Sequence, residues 1–175
     1  MSLFSKLFGQ KPKTAAKSPA EIYAGLRNMI LTKRPPDFHG FWGVVLDMGM
    51  PNGTATMIAV ADGTVSLYTS TGGGIIGLGP HEGPKKSASE LLQFAPKFVQ
   101  HCQRTLVYPL PSSGNTRFYL MSSDTTVSDE VRSEELGKGS HVLSPLFIKC
   151  HELLTEMRKV DEKLRSDSAG SAKVQ

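Results

Sequence analysis

The sequence predicts an α+β domain with a five-stranded, mainly antiparallel sheet and packed helices, in the order α-βββ-α-ββ-α. Three observations carry that prediction. Three apolar runs between Phe41 and Thr69 are rich in β-branched and aromatic residues and are separated by short turns, which makes them a meander of hairpins. Asp62-Gly63 lies between two of these runs, and Asp-Gly is a signal for a type I′ hairpin turn. Helix caps followed by apolar residues at helical spacing flank the strands.

Ser18-Pro19-Ala20-Glu21 opens the first helix. Ser18 can cap, Pro19 suits the first helical position, and Glu21 can reach back to complete a capping box. Ile22, Leu26, Met29 and Ile30 recur at helical spacing and share one apolar face. Pro35-Pro36 ends this helix. The first strand is Phe41–Met48, largely buried by its composition, and Pro51-Asn52-Gly53 turns the chain. Thr54–Val60 and Thr64–Thr69 form the next two strands, and Val65 and Leu67 alternate with Ser66 and Tyr68 in the second of them.

Ser87-Ala88-Ser89-Glu90 reads as a second capping box. Leu91, Ala95, Phe98 and Cys102 line one face of the helix after it, and Pro96 should kink or split that helix. Leu106–Leu110 and Thr116–Met121 read as strands around a Pro-Ser-Ser-Gly-Asn turn. Residues 123–143 are polar and poorly periodic and read as a long loop. In the last helix Ser144 caps and Pro145 follows. Leu146, Cys150, Leu153, Met157, Val160 and Leu164 then step by four and three, the spacing of a heptad seam. Phe147 and Leu154 widen that stripe, which favours packing on the sheet over a homodimer seam.

The organisation read from this is a flexible, basic, amphipathic tail over residues 1–17, a single domain over 18–165, and a disordered tail over 166–175. The layout resembles that of roadblock-like and profilin-like regulatory domains in architecture alone. The strands here group three then two, where roadblock domains group two then three.

Charge excludes one class of function. Lys6, Lys11, Lys13 and Lys17 sit in the first 17 residues with no Asp or Glu, so the remainder carries 16 basic and 16 acidic residues and is neutral. A nucleic-acid-binding domain carries its basic footprint on the folded body, so none is expected to bind here. The two cysteines, Cys102 and Cys150, are too few for a disulfide framework. Each adjoins a histidine, but adjacent residues diverge on a helix and make poor zinc ligands, so no metal is expected. No apolar run is long enough to cross a bilayer and no secretory core is evident at the start. The expected place is cytoplasmic, with possible attachment to the inner face of a membrane.

That attachment would come from the tail. Leu3, Phe4, Leu7 and Phe8 fall at i, i+1, i+4 and i+5 with Lys6 between them, a small amphipathic face suited to an anionic membrane surface or to a partner's groove. Burying these side chains roughly offsets the entropy of ordering the segment, so a single copy binds a membrane weakly.

The glycine cluster is the other candidate. Gly72-Gly73-Gly74-Ile75-Ile76-Gly77 matches G-x-G-x-x-G in form, but Pro80 and Pro84 separate it from a helix expected only at Ser87. No carboxylate stands about 20 residues on for a ribose, and no Gly-Lys-Ser/Thr occurs, so no nucleotide cofactor is expected. Gly72, Gly73, Gly74, Gly77 and Gly79, with His81 and Glu82, form a candidate ligand or partner loop. An enzymatic reading would pair His81 with Ser70 or Thr71 and with Asp47 as a base, nucleophile and carboxylate. The catalytic templates otherwise fail. The primary reading is a non-enzymatic regulatory or adaptor module that works through protein contacts, including those of a homodimer. The alternative is a small-molecule-binding or hydrolytic domain with its pocket at Gly72–Glu82.

Overall fold

The computed structural model describes residues 17–33 and 38–171, so the expectations for residues 1–16, 34–37 and 172–175, including those for Leu3, Phe4, Lys6, Leu7, Phe8 and the Pro35-Pro36 stop, lie outside the described residues. The elements run α1 (Pro19–Thr32), β1 (Phe41–Met50), β2 (Gly53–Val60), β3 (Val65–Thr69), β4 (Gly74–Ile75), α2 (Glu82–Phe94), a 3₁₀ segment (Ala95–His101), β5 (Gln103–Arg104), β6 (Asn115–Ser122), β7 (Thr126–Arg132), α3 (Ser133–Gly137) and α4 (Ser144–Ser171). The class is α+β, with one open sheet in the order β4-β3-β2-β1-β6-β7-β5. Every pairing in it is antiparallel.

The sheet has seven strands, not five. β7 forms inside the segment read as a loop. Only Val127 and Val131 of this strand join the main apolar core, while Ser128 and Glu130 face Arg117, so the apolar signal is one residue in four. Two further pairings, β4 and β5, are two residues each and lie at the sheet edges, where short strands limit edge-to-edge association. Conversely, Leu106–Leu110 is not a strand. Pro109 and Pro111 can donate nothing to a ladder there.

Period-two patterning divides the strands between two cores. Val44, Leu46, Met57, Ala59, Phe118 and Leu120 face α2 and α4, and Val45, Ile58, Tyr119 and Met121 face the side that carries α1. β1 is central and buried on both faces from Trp42 to Asp47, which explains its near-continuous apolar run. Leu146, Cys150, Leu153 and Met157 of α4 are fully buried in the larger core, as the widened stripe predicts, and Leu164 lies beyond it, half exposed.

Local signals read well where they are backbone-specific. The Ser18–Glu21 capping box forms in both directions: Glu21 N–H donates to Ser18 Oγ at 3.3 Å, and Ser18 N–H donates to Glu21 Oε2 at 2.7 Å. Pro96 splits its helix, with 3₁₀ geometry from Ala95. The β2–β3 reversal sits at Asp62-Gly63, but Gly63 N–H donates to Val60 O and Val60 N–H to Thr64 O. This is a three-residue loop with Gly63 at φ 92°, not the expected two-residue turn. The Ser87–Glu90 box caps nothing. α2 begins five residues earlier at Glu82, with Pro84 inside its first turn, where a missing N–H costs little.

Glu130 ties the turn before β6 to β7. It accepts from Ser112 N–H at 3.0 Å, from Asn115 Nδ2 at 2.7 Å, and from Arg117. Partial burial works against its ionisation, but these donors outweigh it and hold its pKa below the usual 4.5. Because the folded value is the lower one, its contribution is complete above about pH 4.5 and is lost as pH falls through the folded value. Glu130→Gln is therefore expected to lower stability by about 1–2 kcal/mol at pH 7 and to flatten the acid limb of a stability–pH profile measured by urea unfolding. An unchanged acid limb would show that other carboxylates govern it.

Candidate functional site

α1 sits on the sheet rotated from its apolar stripe. Tyr23, Arg27 and Leu31 point inward and are buried, whereas Ile22 is 49% and Met29 43% exposed. The apolar stripe thus flanks the helix on the outside, with Leu26 and Ile30 half-buried along its base. What lies beneath the helix accounts for this orientation.

Beneath it is Asp47, which is fully buried in β1. A buried carboxylate needs a cation and further donors. Arg27 supplies Nε at 2.9 Å and Nη2 at 2.6 Å, both to Oδ2. Thr56 donates its hydroxyl to Oδ1 at 2.5 Å, and since that proton is committed, Tyr23 is the donor in its 2.7 Å bond to Thr56. The remaining Arg27 hydrogens reach Tyr108 O at 2.9 Å and Pro109 O and Tyr119 Oη at 3.3 Å each. The guanidinium carbon also lies 5.3 Å from the Tyr119 ring centre. Burial pushes the Asp47 carboxyl upward, against the pull of Arg27 and Thr56. Burial alone would lower the Arg27 pKa, but the Asp47 carboxylate beside it raises it overall. Burial likewise raises the pKa of both Tyr23 and Tyr119.

The same Arg27 anchors the irregular 105–110 segment alongside α1. Leu106 there is 94% exposed, Val107 69% and Leu110 46%. Leu110 borders a shallow cleft with Tyr23, Ala24 and Arg27 on one side of the helix. On the other side, a cleft of about 210 Å³ runs between α1 and the β3–β4 turn, walled by Pro19, Ile22, Leu26, Tyr68, Gly72 and Gly73. Exposed apolar groups therefore border α1 on both flanks.

The proposed catalytic group does not assemble. Asp47 is bonded to Arg27 and Thr56, on the face opposite α2. Ser70 Oγ accepts from Thr54 N–H, and Thr71 bonds to Thr69. His81 sits at the N-cap position of α2 but its side chain caps nothing. Burial, aided by Asp129, pushes the Cys102 thiol up to about 12, and burial alone raises that of Cys150, so neither is a ready nucleophile. Among the described residues no three His, Cys, Asp or Glu side chains gather as metal ligands. No described helix is long and apolar enough to cross a membrane.

The glycine cluster is built into the fold's turns. A Cβ on Gly74 (φ 154°) would collide with the Leu67 carbonyl, and one on Gly79 with the Gly63 carbonyl, where the two loops touch. Of the seven residues proposed as a loop site, Gly72 and Gly73 also wall the α1 cleft, while Gly77, His81 and Glu82 do not border it. Sequence reasoning missed the Arg27–Asp47 pair. The available signal was Asp47 itself, the only charge in an otherwise apolar strand.

No known protein family matches the chain, and no curated protein or solved structure matches it at a significant level.

Proposed function

We propose that this protein is a non-enzymatic regulatory or adaptor module that acts through protein contacts made by the outer surface of α1 and the 106–110 segment, with the N-terminal tail as a second handle for a partner or an anionic membrane surface. The observation that supports this reading is the orientation of α1, which sets Tyr23, Arg27 and Leu31 on the sheet and turns Ile22 and Met29 to solvent.

A second copy of the chain is the partner proposed first. Ile22 and Met29 lie symmetrically about Gly25-Leu26, so two antiparallel α1 helices would set Ile22 of one copy against Met29 of the other. Gly25 meets no atom within 4 Å of where a Cβ would be, which lets the helix axes approach. Sedimentation of the full chain across the micromolar range is expected to show a reversible dimer that Met29→Glu dissociates. A chain that remains monomeric throughout would contradict the self-association reading.

A further inference from the structure

We infer that the cleft where the end of α1, the start of β1, the 105–108 segment and the β6–β7 turn meet is a binding site for a small uncharged polyhydroxy compound, a single sugar ring or a polyol of that size. Such a site is separate from the Ile22 and Met29 surface and does not depend on self-association.

The cleft measures about 240 Å³ and is bordered by Leu31, Trp42, Leu106 and Tyr108, by a set of hydroxyl side chains and by Asp124. Sites for drug-sized ligands begin at roughly 300 Å³, so this one takes a smaller molecule. Apolar and aromatic walls with a few polar groups among them are the usual make-up of a ligand site.

Trp42 sets this cleft apart from the others. It is the chain's only tryptophan and is 4% exposed. Its Nε1–H is buried and has no hydrogen-bond partner among the described residues. A buried tryptophan ordinarily finds a partner for its N–H, so an unpaired one is a place for an acceptor brought by a ligand.

The hydroxyls define what else the ligand must carry. Thr32 Oγ1 donates to Asn28 O at 2.7 Å, Thr105 Oγ1 to Val107 O at 2.6 Å, and Ser122 Oγ to Thr125 O at 2.9 Å. Their protons are committed to backbone carbonyls, so what they have left to offer is lone pairs. Asp124, exposed in the β6–β7 turn, adds a carboxylate. A ligand here meets several acceptors and one unpaired donor. An anion would be repelled by Asp124 and would have only the indole N–H to receive it. An ammonium ion would suit the acceptors but has no lone pair for the indole. A polyol answers both needs, because each of its hydroxyls donates and accepts, while its C–H groups can lie on Leu106 and the Tyr108 ring.

The test titrates the isotope-labelled full chain with D-glucose, myo-inositol and glycerol and follows its single indole N–H resonance. The expected result is a saturable shift of that resonance, in the millimolar range, with at least one of the three, together with shifts of the Tyr108 and Thr126 amides. Methyl α-D-glucopyranoside, blocked at the anomeric oxygen as the end of a glycan is, separates a free sugar from a glycan terminus. Asp124→Ala, at an exposed position, is expected to weaken binding about tenfold, the worth of one charge-assisted hydrogen bond. Trp42→Phe keeps an aromatic ring and removes the donor, and is expected to weaken binding as read from the Thr126 amide. An indole resonance that none of the three compounds shifts saturably overturns the inference, as does a shift that Asp124→Ala leaves at parental affinity. Tighter saturable binding of acetate or methylammonium overturns it in favour of a charged ligand.

Discussion

Asp47→Ala is expected to destabilise the protein by about 3–5 kcal/mol, because it leaves Arg27 buried without its counter-charge. Arg27 would keep the carbonyls of Tyr108 and Pro109, but Thr56 would lose its acceptor and Tyr23 the order that depends on it. For a chain of this length the loss corresponds to a fall in melting temperature of roughly 6–20 °C. Replacing both partners with apolar residues, as in Arg27→Met with Asp47→Leu, should cost far less or even stabilise, because the desolvation of two charges is removed along with their attraction. Urea unfolding of the single and double variants measures both. A loss below about 1 kcal/mol in Asp47→Ala would mean that Arg27 swings into water and that α1 is held by its apolar contacts after all.

The second large effect is expected at Gly79. A side chain there meets the Gly63 carbonyl, which is backbone and cannot rotate away. Gly79→Ala should therefore force the 77–80 loop off the β2–β3 hairpin and lower stability by about 2–3 kcal/mol, the cost of overpacking. Gly73→Ala is the control. Its φ of 91° makes an alanine strained, but the space around it is open, so about 1 kcal/mol is expected. Thermal melts in which Gly79→Ala matches the parent would remove the packing account of the cluster and reopen a ligand role for it.

These two sites also show how much of the molecule the sequence discloses. Signals that belong to the backbone were legible: the Ser18–Glu21 box, the break at Pro96, the reversal at Asp62-Gly63 and the central strand from Phe41. β7 was not legible, because only one of its faces meets the core and its other side chains belong to a polar network around Arg117 and Glu130. The start of α2 was misplaced because Ser87–Glu90 has the composition of a cap but sits where its backbone N–H groups already have partners in the helix.

The candidate site was the least legible part, and for one physical reason. Amphipathic patterning assumes that the apolar face of a helix is the buried one. In α1 that assumption fails, because a fully buried carboxylate in β1 requires a cation above it, and Arg27 with Tyr23 outweighs Ile22 and Met29 for the inward positions. That orientation leaves Ile22 and Met29 at the surface.

The most direct measurement pairs stability with assembly in one variant, Ile22→Glu with Met29→Glu. If these side chains face solvent, its melting temperature should stay within a few degrees of the parent while self-association measured by sedimentation disappears. A collapse of stability in that variant, or an unchanged dimer at parental stability, would contradict the account.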